Sequence, residues 1–172
     1  MTTLHLMVGL PGAGKTTLAR QLAAEQRALR LTPDEWMIPL FGAPDVNGRR
    51  DVLEGRMLAL ALEAVRLGID VVLDFGCWSR DERSAVRSLT EAAGAVFRLV
   101  YLPVEPAAQR ARIDRRREPA LRIGDAELAQ ARALFEEPDR AETDGRAVDN
   151  PPAGSASWEE WAAARWPGLT QN

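Results

Sequence analysis

A doubly wound, parallel α/β sheet is the fold class this sequence predicts, on three observations. Short apolar runs alternate with segments of helical periodicity along the chain, the pattern of strands joined by crossover helices. The first run, Leu4 to Val8, leads through a glycine-rich turn straight into a helix, so a helix N-terminus faces whatever lies at the strand's end. That turn holds Lys15, the only lysine among 172 residues that include 21 arginines.

Taken in order, Leu4-His5-Leu6-Met7-Val8 is apolar and bounded by glycine, as a buried strand is. Thr17 to Gln26 follows as a helix with Leu18 and Leu22 on one face. Leu29-Arg30-Leu31 is a short second strand that runs into Thr32-Pro33-Asp34-Glu35. There Thr32 and Glu35 fit a capping box and Pro33 suits the first helical position. This short helix is expected to end at Pro39, with loop from Leu40 to Gly48. Arg49 to Leu67 has leucines and alanines at helical spacing, and Gly68 stops it. Ile69 to Asp74 is the strongest strand in the chain.

Ser79 and Glu82 form a second capping box, opening a helix to about Ala93 that Gly94 stops. Val96 to Leu102 is a fourth strand. Pro106 to Arg117 is an arginine-rich helix, Glu118 to Gly124 a loop, and Asp125 to Phe135 a further helix. Arg146-Ala147-Val148-Asp149 reads as a fifth strand. Ser157 and Glu160 start a last helix that carries Trp158, Trp161 and Trp166, whose indoles are expected to dock it on the sheet.

The glycine turn is Gly9-Leu10-Pro11-Gly12-Ala13-Gly14-Lys15-Thr16, which fits G-x-x-x-x-G-K-[ST]. In such a loop backbone N–H groups cradle phosphates, the lysine reaches the β- and γ-phosphates, and the hydroxyl binds Mg²⁺. Gly12, Ala13, Gly14, Lys15, Thr16 and Thr17 are therefore the expected phosphate-binding residues. Composition supports the same site. Arginine can replace lysine at ordinary surface positions but not where a compact point charge is needed. One lysine placed at random among the 22 basic positions would fall here about one time in 22.

Length suits one domain, expected over 1–172. The net charge of −3 argues against a surface built to attract nucleic acid. Cys77, the single cysteine, forms no internal disulfide, which suits a reducing, cytosolic setting. No long apolar run is present and Met1 to Val8 is too short for a leader, so neither membrane nor export is expected. One histidine, His5 on the first strand, leaves no zinc cluster and no Ser-His-Asp set. A general base has to be a carboxylate.

Three stretches carry a family resemblance: Asp34-Glu35-Trp36-Met37, Asp74-Phe75-Gly76-Cys77-Trp78-Ser79-Arg80 and Phe135-Glu136-Glu137-Pro138. The chain resembles the bacterial P-loop kinases of the zeta-toxin, chloramphenicol phosphotransferase and polynucleotide-kinase group. Within these it is most similar to uncharacterised AAA-type ATP-binding proteins. The resemblance runs from Leu4 to about Pro138. It implies a P-loop NTPase fold with a five-stranded parallel sheet in order 2-3-1-4-5, an arginine-bearing helical lid, here at about 110–135, and ATP with Mg²⁺ as cofactors.

In the kinases it resembles, an aspartate at the place of Asp34 takes the proton from the acceptor hydroxyl. Parallel strands present their carboxyl ends together, so the end of the second strand opens beside the phosphate loop, where a carboxylate can orient a hydroxyl for attack. Asp34 also suits the first turn of a helix through the dipole alone. Asp74, at the end of a Walker-B-like strand, is expected either to hold Mg²⁺ with Thr16 or to touch the acceptor. Phe75 follows it, where hydrolytic ATPases commonly place a glutamate, which tilts the expectation from hydrolase to transferase. Arg110, Arg112, Arg115, Arg116, Arg117 and Arg122 form a cluster that is a solvated face, a nucleic-acid patch or a lid over the triphosphate. Arg112 and Arg116 are the expected catalytic pair. Trp36, Trp78 and Arg80, with Phe41 and Phe75, fall on loops where an acceptor pocket is expected. The reading is ATP-dependent transfer of the γ-phosphate to a hydroxyl of a small-molecule or nucleotide-like acceptor. A nucleotide switch or ATPase without an acceptor, and a nucleic-acid 5′-hydroxyl kinase, are the alternatives.

Overall fold

The computed structural model describes residues 1–146 and 149–170. Four parallel strands form one sheet: β1 (Thr3–Val8), β2 (Leu29–Leu31), β3 (Val71–Gly76) and β4 (Val96–Tyr101), in the order β2-β3-β1-β4. Leu6 lies in register with Leu73 on one side and Leu99 on the other. The helices are α1 (Lys15–Gln26), α2 (Pro33–Phe41), α3 (Arg49–Arg66), α4 (Arg80–Ala92), α5 (Pro106–Asp114), α6 (Asp125–Leu134), α7 (Arg140–Thr143) and α8 (Trp158–Arg165).

Side-chain alternation along β1 divides the core between the two faces of the sheet. Leu4, Leu6 and Val8 pack with Leu58, Ala61 and Val65 of α3, with Ala85 and Leu89 of α4, and with Trp158 and Trp166. Met7 and Val72 face the other way, against Ala19, Leu18 and Leu22 of α1. His5 is buried on that face, and its Nε2 pairs with Gln26 Oε1 at 2.8 Å. The tryptophans of α8 dock on the sheet as expected, Trp166 with no exposed surface. A buried ion pair, Arg83 Nε to Glu142 Oε1 at 2.7 Å, ties α4 to α7.

The structure corrects several sequence expectations. The sheet has four strands among the described residues. Of the proposed fifth, Arg146 and Asp149 carry no regular structure, and 147 and 148 lie outside the described residues. The four-residue α7, not among the expected elements, precedes it. Helix α2 continues through Pro39 to Phe41, because a proline removes one hydrogen bond without forbidding another turn, and Gly42 in the left-handed region ends it. The Thr32–Glu35 capping box does not form. Thr32 Oγ1 is engaged by Arg30 and directed at Asp74, while Glu35 binds Arg20 and Arg30, so tertiary partners displaced the local cap. Helix α5 stops at Asp114, three residues early, and a short 3-10 turn at Pro119–Leu121 interrupts the predicted loop. The Ser79–Glu82 capping box forms as expected.

Candidate active site

The glycine loop leaves β1 and turns on an Ala13 N–H to Leu10 carbonyl bond of 3.1 Å before entering α1. Gly12 has φ +81°, and a Cβ there would stand 3.0 Å from the Gln109 carbonyl, so only glycine allows α5 to lie this close. Gln109, fully buried on α5, donates from Nε2 to the Pro11 carbonyl at 2.7 Å and accepts from Arg132 of α6. The outside of the loop is thus braced by side chains from two helices.

Lys15 Nζ donates to the carbonyls of Gly9 at 2.8 Å and Leu10 at 3.1 Å. Burial lowers the ammonium's pKa from its ordinary value, and the nearby Asp74 carboxylate offsets part of that shift. Thr16 Oγ1 donates to Asp74 Oδ2 at 2.6 Å. Burial raises the Asp74 carboxyl above the usual range, while the Thr16 hydrogen bond and Lys15 act in the opposite sense. Gly76 ends β3 at φ +105°, and a Cβ there would meet the Trp78 indole at 3.4 Å and approach Lys15. This glycine lets Trp78 fold back beside the loop.

Two cavities flank Lys15. One, of about 200 Å³, lies at the carboxyl ends of the strands between Lys15, Thr16, Asp34, Asp74, Trp78 and Arg116. The other, of about 580 Å³, runs along the outer side of the loop, between Gly12 to Thr17 and the arginines Arg112, Arg116 and Arg117. Asp34, in the first turn of α2, borders both, and its Oδ1 accepts from Arg50 of α3 at 2.7 Å. Arg50 also bonds Glu54 at 2.9 Å and the Pro44 carbonyl at 3.0 Å.

The arginine cluster divides by role. Arg112 donates to the loop carbonyls of Ala13 at 2.9 Å and Gly12 at 3.3 Å. Arg116 borders both cavities and donates to the Leu121 carbonyl; burial lowers its pKa, and Asp34 opposes the shift. Arg110 is committed to Asp114, Asp125 and the Ile123 carbonyl, and Arg122 donates to the Arg116 carbonyl. These two hold the segment together and do not face the loop.

The expected acceptor residues separate too. Trp78 and Phe75 border the inner cavity. Trp36 is 47% exposed and lines none of these cavities, and the exposed Phe41 sits under Arg49 at 5.0 Å. Arg80 is a correction: its guanidinium binds Asp139 and Asp149, each at 2.6 Å, and tethers the chain after α6 to the start of α4. Thr32, Arg50 and Gln109 were missed. Arg50 carried a faint signal in its i,i+4 spacing to Glu54, whereas nothing local distinguishes Gln109 or Thr32 as parts of a site.

The strand order, the loop between β1 and α1, and the Thr16–Asp74 pair define a P-loop domain of the kinase-like kind. Residues 4–138 match the family model described as AAA domain, and the chain belongs to that family. No match emerges among curated proteins. Solved structures resemble it in fold. A sugar kinase from Janibacter sp. superposes with a TM-score of 0.57 at 17% identity, covering 81% of each chain. Kti12 of Chaetomium thermophilum, solved with ADP-AlF3, gives 0.59 at 20% identity over 98% of this chain and 100% of its own. A chain of the Pnkp1/Rnl/Hen1 RNA repair complex gives 0.59 at 17% identity over 87% of this chain, which spans 50% of that one.

Proposed function

We propose that the protein is a phosphotransferase that moves the γ-phosphate of ATP to a hydroxyl of a small-molecule acceptor. One observation carries the reading: Lys15, the Thr16–Asp74 pair, Asp34 and Arg116 converge on a single cavity beside the phosphate loop. The loop and α1 N-terminus hold the phosphates, and Lys15 exchanges its bonds to Gly9 and Leu10 for the β- and γ-phosphate oxygens. The fold likeness to a sugar kinase agrees with this class.

The donor set suits Mg²⁺. No group of three or more acidic, histidine or cysteine side chains could hold a metal among the described residues. Mg²⁺ does not need one, since it is usually held by one or two protein oxygens with phosphates and waters completing its shell. Thr16 Oγ1 and the Asp74 carboxylate are the residues that would hold it, and there it would neutralise charge on the β- and γ-phosphates.

Asp34 stands where an incoming hydroxyl would lie. Arg50 engages Oδ1 and fixes the carboxylate's orientation, and no other hydrogen bond reaches the Asp34 side chain among the described residues. In the transfer the acceptor oxygen bonds to the γ-phosphorus as the bond from that phosphorus to the β–γ bridging oxygen breaks. The hydroxyl proton passes to Asp34, and ADP leaves with the electron pair. Arg112 and Arg116, on a segment acting as a lid over about 110–135, neutralise the transferring group and exclude water. The buried Phe75 after Asp74 supplies no carboxylate to activate water, which favours transfer over hydrolysis. The stretch from Asp74 to Arg80 also supports placement in the zeta-toxin and chloramphenicol phosphotransferase group. The buried free thiol of Cys77 suits a reducing, ATP-containing compartment such as the cytoplasm, and no helix among the described residues is long and apolar enough to cross a membrane.

The test is transfer from γ-labelled ATP to panels of antibiotics, nucleosides, sugars and RNA 5′ ends. A labelled small molecule, lost in Asp34→Asn, is the expected result. Hydrolysis of ATP with no labelled acceptor in any panel would sink the reading.

A further inference from the structure

Past Arg50, Phe75 and Trp78 the inner cavity adjoins another of about 350 Å³. Its floor is Phe75, Cys77 and Trp78, and its walls are charged. On those walls two guanidinium groups meet three carboxylates, Asp51, Glu54 and Glu82. Arg50 binds Glu54 at 2.9 Å and, on the side of the inner cavity, Asp34 at 2.7 Å; Arg165 binds Asp51 at 2.7 Å and Glu82 at 2.8 Å. Within this lining three carboxylates against two guanidinium groups leave a local excess of one negative charge. Both arginines are already committed, so a phosphate or carboxylate on the incoming molecule would face carboxylates without an unpaired cation in this lining. The basic groups Lys15 and Arg116 line the neighbouring cavity, on the phosphate side.

Glu54 is the most buried carboxylate of this lining. It is buried, accepts a further bond from Trp166 Nε1 at 3.3 Å, and burial raises its carboxyl above the usual range despite Arg50 and Arg165. A cation brought near would be drawn to it through a medium that screens poorly. Arg165 belongs to α8, outside the residues 4–138 that define the family, so this wall is supplied by a part of the chain beyond the shared domain.

We propose that this cavity is the acceptor subsite and that the acceptor is a hydroxylated ring bearing an amine cation, its apolar face on Trp78 and its ammonium toward Glu54 and Asp51. An indole attracts both C–H faces and cations, and the carboxylate excess selects the charge. The assignment rests on the phosphotransferase reading above.

Calorimetric titration of the full chain, with a non-hydrolysable ATP analogue present, compares rings matched in shape and different in charge. The probes are glucosamine, glucose and glucuronic acid, and 2-deoxystreptamine, myo-inositol and myo-inositol monophosphate. In each set the amine should bind at least about tenfold tighter than the neutral ring, with the anion weakest and the gap narrowing as salt rises. Asp51→Asn, at a partly exposed position, should lower amine affinity about three- to tenfold and neutral-ring affinity less than about twofold, with the small fall in melting temperature that loss of a partly exposed ion pair brings. Equal binding across the charges, preference for the anions, or binding of neither amine would overturn the proposal. Transfer from labelled ATP is read in parallel. Amine binding without transfer counts against the phosphotransferase reading alone, and transfer that prefers anionic acceptors counts against the charge assignment alone.

Discussion

On the phosphate side of the cavity, Lys15 bonds to carbonyls five and six residues back along the chain. On the opposite side, Arg50 reaches Asp34 across 16 positions and Arg165 reaches Asp51 across 114. The first region is shaped mainly by backbone and by short-range turn chemistry. The second is made of side chains delivered by α2, α3, α4 and α8. A backbone cradle tolerates few substitutions and serves any nucleoside triphosphate, while a side-chain pocket can be rebuilt without disturbing the loop. Changes on the phosphate side should therefore abolish function outright, and changes on the other side should alter selectivity or stability in smaller steps.

Lys15 offers the largest expected effect. Lys15→Ala should lower transfer on the order of 10³-fold, since it removes the charge that meets the β- and γ-phosphates. Lys15→Arg should fail as well, because a planar fork does not fit a position that binds two carbonyls at the cavity floor. Initial rates and nucleotide titration measure both, and near-normal turnover in the arginine variant would show that lysine is not required.

Asp34→Asn comes next and tests the border between the two regions. It should keep ATP affinity and lose transfer by about 10²-fold or more, as removal of a base does. Parallel loss of binding and rate would mark Asp34 as a structural partner of Arg50 only.

Arg116→Ala should lower kcat by about 10- to 10²-fold, whereas Arg110→Ala should change it less than about twofold. The two arginines are six positions apart in one cluster, but only Arg116 borders the cavities. Equal effects would return the cluster to a solvated face.

Arg80→Ala should leave turnover unchanged and cost about 1 kcal/mol of stability, the scale of partly exposed ion pairs. Chemical denaturation compared with the rate assay separates this from an acceptor role.

The smallest effect is a pH dependence at Glu54. Burial raises its folded-state pKa above the ordinary value. A raised carboxyl disfavours the folded state as pH climbs through it and is without penalty below the unfolded value. Glu54→Gln removes that titration. The melting temperature of the variant relative to the parent should therefore rise as pH climbs from the ordinary carboxyl value of 4.5 through the raised one, on top of a constant offset from the altered bond to Arg50. A difference that falls with pH would contradict the assigned direction.

Much of this architecture is legible in the sequence. Strand–loop–helix at Leu4 to Gln26, the Ser79–Glu82 cap and the stop at Gly94 depend on contacts within a few residues, and all formed. Lys15 and Thr16 were legible because a phosphate loop is built from consecutive residues. Failures came where a distant partner outbid a local one. Thr32 and Glu35 had the spacing of a cap, yet Asp74, Arg20 and Arg30 took their side chains. Arg80 looked like part of a loop pocket until Asp139 and Asp149, far along the chain, came beside it.

What the sequence determined by itself was the α/β class, the phosphate loop and the carboxylates available for chemistry, since periodicity, turn geometry and residue inventory are local or compositional properties. Apart from i,i+4 pairs such as Arg50 with Glu54, the tertiary structure decided which of 21 arginines meets which carboxylate. Arginines are chemically equivalent along a chain, and only packing, by bringing α3 beside α2 and α8 beside α3 and α4, makes Arg50 and Arg165 different from the rest.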